Sequence, residues 1–333
     1  MCQKCLETLR TLRPAREGAD AITREAFFLS KNKQQRRVEN RAALLFKRYF
    51  ELMVDLGARF VRTVRMPLSS SDANVQAWLI ASQMPKQRGY QELIATGRSA
   101  LLPAFLVGAH SEQKLTSKSV KFTTAQALAE FLEDEIPDSI TLGPHPQWML
   151  DAAADSMRWT FDQDYWQKVN EHTWSDMQDI LEQGIKEGLS VRRLAKLITE
   201  QMGGEYTTQR ATMVALTETA NFLNAGHAAS IKNVEDELGF PVGKEWLAIA
   251  DSRTRPSHAA MNTVTTETAD GLFNLSGYQI PHPGHWSLPA SERIRCRCTI
   301  ISAPLSMELF GEPELLPAVQ TDLSLVDSGI TLF

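Results

Sequence analysis

Asp251, Arg253, Arg255 and His258, which can ion-pair, hydrogen-bond or ligate a metal, crowd into the second half of KEWLAIADSRTRPSH. Two thiols, Cys296 and Cys298, follow in SERIRCRCTI, where Arg293, Arg295 and Arg297 alternate with Ile294 and the cysteines. Upstream, ALTETANFLNAGHAA places Glu218, Asn224 and His227 in one helix-like stretch. A carboxylate with a histidine and arginines can act as a general acid–base centre for phosphoryl or acyl chemistry, here a hydrolase or nuclease using Glu218, His258 and Arg255. The same groups can instead form a buried ion-pair and hydrogen-bond network that fixes a small mixed fold. On that reading Glu218, Asn224, Trp246, Asp251, Arg253, Arg255, His258, Cys296 and Cys298 are a structural or contact centre. The chain has no GxxxxGK[ST] phosphate loop, no GxGxxG after a strand and no GxSxG elbow, so the network is the reading adopted and no enzyme is expected.

Metal chemistry is a further alternative. His258, Cys296 and Cys298, with Asp251, His282 or His285 as a fourth ligand, have the donor types zinc prefers. No HExxH or paired CxxC pins such a geometry, so no cofactor is expected beyond that possible zinc. Cys2 and Cys5 have the spacing of half a zinc site, and closing one site with Cys296 and Cys298 would bring the two ends of the sequence together. Four cysteines in 333 residues are too few for a disulfide scaffold and suit a reducing compartment. His110, His145 and His172 belong to no motif.

These residues need a frame. A chain of 333 residues with 43% apolar and 23% charged residues has the composition of a globular protein. Neither a signal peptide nor an uncharged apolar run of membrane-spanning length is evident, so synthesis in a bacterial cytoplasm without membrane insertion is expected. Charge is divided unevenly. Residues 1–121 carry 21 Lys and Arg against 10 Asp and Glu, while the whole chain has a net charge of -5. A basic front half suggests nucleic acid or an acidic protein surface as neighbour, although basic helices are often simply solvated.

The periodicity predicts a long helix over 31–62, with Ala42, Leu45, Tyr49, Leu52, Leu56 and Phe60 as its apolar stripe. Arg36, Arg37, Arg41, Lys47 and Arg48 on that helix are the candidate contacts to double-stranded DNA. A second helix is expected before Pro85, then helical material from 87 to 107 interrupted near Gly97 and Pro103, a loop over 108–121, and a short acidic helix from Thr123 or Thr124. PDSITLGPHP marks a domain boundary near residue 140. Beyond it come helices carrying Trp159, Trp166 and Trp174, read as core aromatics. Gly188 is expected to break the helix and Ser190 to cap the next one. Another break is expected at Gly203-Gly204, followed by a long helix reaching about Glu237. Strand character appears only in KEWLAIA and in RIRCRCTII, the latter read as a half-buried strand, with an irregular loop or short hairpin between them. The fold class expected is α+β: a mostly helical chain with a small antiparallel sheet in its C-terminal domain. Its parts are a basic helical domain over 1–140, an α+β domain over 141–300 and an acidic extended tail over 301–333.

With these residues in order, the chain resembles the phage head-morphogenesis domain family, the Mu F-like minor head proteins. The likeness is carried by Ala215, Thr217 and Glu218, then Asn224 and Gly226, then Lys244 and Trp246. It continues through Asp251, Arg253, Arg255 and His258, then Phe273, Pro281, Pro283 and Pro289, and closes on Ile294, Cys296, Arg297 and Cys298. It covers about residues 148–300. Leu216 and Arg295 stand where the family tends to have arginine and asparagine, AAMNT follows His258, and an aspartate is missing between Pro281 and Pro283. The resemblance implies a minor capsid protein in the virion head of a tailed phage or prophage. It would be associated with the portal protein and other head or scaffold proteins, and would act in morphogenesis and DNA delivery. A DNA-binding accessory protein of the virion is the alternative suggested by the basic helix.

Overall fold

Helices dominate, as the apolar periodicity requires. The computed structural model describes residues 16–66, 68–117, 145–161, 164–239, 241–249 and 251–303. Helix α1 spans Arg16–Arg62. After a short 3-10 turn come α2 over Ala73–Ser82 and α3 over Lys86–Ser117. Then follow α4 over Gln147–Phe161, α5 over Asp164–Lys186, α6 over Val191–Met202 and α7 over Glu205–Leu238. The C-terminal portion contains β1 (Lys244–Leu247), α8 (Pro256–Ala260), β2 (Phe273–Leu275), β3 (Tyr278–Ile280), α9 (Ala290–Arg293) and β4 (Thr299–Ser302). The chain is therefore α+β and mostly helical.

The punctuation residues act where their chemistry predicts. Gly188 sits at φ +72, and the Ser190 side chain accepts from the Arg193 N–H to cap α6. Gly239, left-handed at φ +68, ends α7.

Two interruptions expected in the α3 region do not occur. The helix runs unbroken through Gly97 and Pro103, and the loop expected from 108 is helical as far as Ser117. Glycine serves there as a contact surface. A β-carbon on Gly97 would lie 2.6 Å from the Phe161 ring. One on Gly108 would lie 2.0 Å from the Leu223 carbonyl oxygen, and one on Gly226 would lie 2.1 Å from that of Phe105. Helices α3 and α7 thus cross with backbone against backbone, an approach no larger residue allows. The apolar segment Lys86–Glu112 is long enough by composition to span a bilayer, yet 61% of its apolar window is buried inside the protein.

Helix α1 buries Ala42, Phe46, Tyr49, Phe50, Met53, Ala58 and Val61. Leu45, Leu52, Leu56 and Phe60, expected in the stripe, form its partly buried flank instead. The stripe is wider than a single row because α1 packs against α3, α6 and α7. Trp166 and Trp174 lie in the core, whereas Trp159 is 62% exposed and stacks on Trp286 at 6.0 Å.

One apolar core contains residues from α1, α3, α5, α6 and α7, so helices on both sides of the expected boundary share it. The boundary itself, near residue 140, falls outside the described residues, as do the expected helix from Thr123, Cys2 and Cys5, and residues 304–333 of the expected tail. The first residues of that tail, Ile301 and Ser302, belong to β4.

The sheet is antiparallel, pairing Lys244 with Ser302, Trp246 with Ile300 and Leu247 with Thr299. Residues 263–266 line the other side of β1 through Trp246 N to Val264 O and Thr266 N to Lys244 O bonds, both 2.8 Å. A separate hairpin joins β2 and β3, turning at Ser276 and Gly277 with positive φ at both.

Candidate functional site

RIRCRCTII is not one strand. Arg293 ends the short helix α9, Arg295 adopts φ 55, and only Thr299–Ser302 pairs with β1. The alternation that suggested a strand comes from two arginines turned inward toward carboxylates. Arg293 donates to both oxygens of Glu218, at 2.7 and 2.5 Å, and both side chains are buried. Arg297 donates to both oxygens of Asp251, at 2.7 and 2.6 Å, in a half-buried position. The Arg297 pair is a two-nitrogen fork, which fixes orientation as well as charge, whereas Arg293 engages both Glu218 oxygens through Nη2 alone.

The three segments therefore meet. Asn224, fully buried on α7, donates to the carbonyls of Pro283 at 3.1 Å and Cys298 at 3.0 Å, and its Oδ1 accepts from the Thr299 hydroxyl at 2.8 Å. One amide thus holds α7, the proline loop and the start of β4 together. The Arg295 N–H donates to Thr217 Oγ1 at 3.3 Å. Trp246, buried on β1, meets the His258 ring edge-on at 5.9 Å and the Phe273 ring at 5.3 Å. Arg255 reaches the Ile294 carbonyl at 2.6 Å. Arg253 is the outlier. It is exposed, and among the described residues its hydrogen bonds go to Asp251, two positions away.

His258 occupies the middle of this arrangement, buried in the first turn of α8 behind Pro256 at N1. Its Nε2 lies 3.0 Å from Glu292 Oε2, and its Nδ1 lies 3.5 Å from each of the Cys296 and Cys298 sulfurs. The Cys298 thiol is held well below its ordinary range. The hydrogen bond from Cys296 contributes most, His258 and the Trp246 N–H add to it, and burial opposes.

Asp251 is pulled well below the usual carboxylate range, chiefly by its bonds from Arg297. Glu218 moves the other way. Burial raises its carboxyl, and Arg293 only partly offsets that. The buried Lys244 donates to the Pro281 carbonyl at 2.9 Å, and burial brings it down to about 8.

Of the three expected fourth metal ligands, none joins the His258–Cys296–Cys298 cluster. Asp251 is taken by Arg297, His282 lies 3.1 Å from the Pro283 carbonyl, and His285 lies 2.8 Å from Ser287 Oγ. The acid–base cleft that the hydrolase alternative requires is not formed either. Glu218 is sealed against Arg293, His258 is engaged by Glu292, and no hydrogen bond joins Glu218 to His258 among the described residues.

Glu292, Arg293 and Lys244 were not singled out from sequence as members of the centre. Glu292 had one available signal, being the only carboxylate in SERIRCRCTI. A pocket of about 430 Å³ beside the proline loop, lined by Trp159, Asn221, His285 and Trp286 among others, had none.

The candidate DNA contacts on α1 lie toward its solvent side. Arg36, Arg37, Arg41 and Arg48 are exposed, and Lys47 is half-buried and 3.9 Å from Glu51.

Among curated proteins, the NAD(+)--arginine ADP-ribosyltransferase EFV of Enterococcus faecalis (strain ATCC 700802 / V583) is 32% identical over 123 residues, which is 35% of this chain. The match spans 23% of that protein's length, so the two share a part and not a whole. No solved structure matches. Residues 175–301 match the family described as Phage Mu protein F like protein, and the paired side chains from Glu218 to Cys298 all lie inside that range. Over residues 175–301 the chain is thus similar to the phage Mu F-like family, and this packed centre lies within the matched range.

Proposed function

We propose that this chain is a minor head protein of a tailed phage or prophage, associated with the portal and acting through protein–protein contacts in head morphogenesis and DNA delivery. The Mu F-like domain supports a head-morphogenesis protein. The observation that carries the reading is the state of the motif residues. Glu218, Asp251 and Asn224 are each consumed by structural partners, which suits a rigid assembly module better than an open catalytic cleft. The exposed Arg36, Arg41 and Arg48 of α1 favour DNA as a second contact, since phosphate binding needs cations that can face the duplex.

An ADP-ribosyltransferase activity belongs to the name of the Enterococcus faecalis relative, which shares 23% of its length with this chain. A catalytic reading here would need an open polar cleft. The carboxylates of the motif, Glu218 and Asp251, are instead committed to Arg293 and Arg297.

The test uses the full-length chain, because its helices share one core. Tagged protein is mixed with assembled portal rings from the same phage at moderate salt, and purified heads are examined by mass spectrometry. Co-elution with the rings and a few copies per head are expected. Absence from both would overturn the proposal.

A further inference from the structure

Two thiols and one imidazole nitrogen converge at a point that the assembly role does not use. Nδ1 of His258 and the sulfurs of Cys296 and Cys298 lie within 4.8 Å of one another, and all three residues are buried. Zinc bonds nitrogen at about 2.0–2.1 Å and thiolate sulfur at about 2.3 Å, so a tetrahedral ion sets N···S at about 3.6 Å. The two separations here are both 3.5 Å. A single ion held by all three ligand atoms accounts for both contacts at once.

The surroundings are built for such an ion. Glu292 Oε2, 3.0 Å from Nε2 of His258, keeps the imidazole proton on Nε2 and turns the Nδ1 lone pair toward the sulfurs. Ser257 steadies that carboxylate from 3.0 Å, and Ser276 from 3.4 Å. This is the carboxylate–histidine–metal arrangement that fixes tautomer and raises ligand basicity. The Trp246 indole N–H is buried with no hydrogen-bond acceptor among the described residues. Two thiolates and a neutral imidazole would bring a divalent ion to neutrality, with the Arg297–Asp251 pair already balanced beside them.

We propose that His258, Cys296 and Cys298 bind one thiophilic divalent cation of the zinc class, clamping α8 to the turn that precedes β4. No fourth protein ligand joins the cluster among the described residues. The site is independent of the assembly role proposed above.

The full-length chain is purified under reducing conditions without chelator, and metal is measured by elemental analysis beside a thiol titration. One zinc per chain is expected. Exchange with cobalt(II) should give tetrahedral d–d bands and thiolate-to-cobalt charge transfer. Cys298→Ser and His258→Ala should lose the ion. Glu292→Gln should keep one equivalent but bind it about 10–100-fold more weakly in chelator competition. Retention of zinc by Cys2→Ser/Cys5→Ser is expected, and its loss there would overturn the three-ligand assignment in favour of a four-cysteine site. Far less than one zinc after purification from zinc-supplemented medium, with both buried thiols free to titrate on denaturation, would overturn the proposal. So would zinc unchanged by Cys298→Ser. Should the ligand variants fail to fold, cobalt titration of the metal-stripped wild type decides. Absence of thiolate charge transfer rejects the site.

Discussion

Replacing Arg293 by methionine isolates the most heavily committed charge in the molecule. Glu218 is fully buried and receives two bonds from Arg293, at 2.7 and 2.5 Å. The guanidinium also lies 4.0 Å over the Tyr165 ring and donates to the Gly284 carbonyl at 3.3 Å. Methionine keeps much of the stem's volume and removes every donor. An uncompensated buried carboxylate costs about 3–5 kcal/mol, and that is the loss expected in denaturant unfolding at pH 7. The carboxylate can escape part of this cost by taking up a proton. Burial already raises the Glu218 carboxyl in the native protein, and loss of Arg293 must raise it further.

The sign then follows from linkage. A carboxyl whose folded pKa is raised contributes stability that is fully present below its unfolded value and lost as pH rises through the folded value. The gap between Arg293→Met and the parent should therefore narrow as pH falls from 7 toward 5, by at most about 1.4 kcal/mol per pH unit. Adding Glu218→Gln to Arg293→Met should recover about 2 kcal/mol relative to the sum of the single losses. A loss under about 1 kcal/mol, with no pH dependence of the gap, would refute the claim that this pair is the spine of the centre.

Three further outcomes follow from the geometry. Gly226→Ala sets a methyl 2.1 Å from the Phe105 carbonyl, so α3 and α7 must separate. A loss of about 1–3 kcal/mol in thermal unfolding is expected, and an unchanged midpoint would mean the crossing is looser than described. Burial holds His285 down to about 4 and His282 well below its ordinary value. Both depressed values make the unfolded chain the better proton acceptor, so stability should fall as pH drops from about 6.5 toward 4, and His285→Asn should flatten that slope in pH-dependent denaturation. Replacing Arg37, Arg41 and Arg48 together by glutamine should leave the fold unchanged. It should also reduce the salt slope of duplex DNA binding by about 0.9 per lost phosphate contact. Parent binding that does not weaken with salt would remove DNA from the reading of this helix.

Much of the frame was legible because local chemistry decides it. The Ser190 cap, the Gly239 stop and the long helices follow from rules acting within a few residues, and tertiary packing leaves them intact. The α3 region misled because Gly97, Gly108 and Pro103 usually interrupt helices. Here the two glycines are surfaces for Phe161 and Leu223, partners distant in sequence that no local rule can supply. RIRCRCTII misled for a related reason. Alternation ordinarily means one wet face and one dry face, but Arg293 is dry because it pairs with Glu218. Pairing of two charges 75 residues apart is a tertiary fact. That Glu218, Asp251, His258 and the cysteines belong to one centre is legible in the motifs of their three segments and in the family resemblance they carry. Which of them bind one another depended on Glu292 and Arg293, whose roles emerge only from the fold.

The shared core also has a consequence for how the protein is made. Synthesis runs from α1 toward β4, yet Phe46 and Phe50 of α1 belong to a core that also takes in Phe222 and Leu223 of α7. The last strand reaches back as well, its Ser302 N–H donating to Glu112 of α3 across 190 residues of sequence. The first helices to leave the ribosome must therefore wait, with their apolar faces uncovered, for most of the chain to be translated. Long-range closure of this kind slows folding and prolongs the interval in which sticky surface is exposed. Yield in cells should thus respond to chaperone supply and to slower growth temperature more than to any surface residue of the finished molecule.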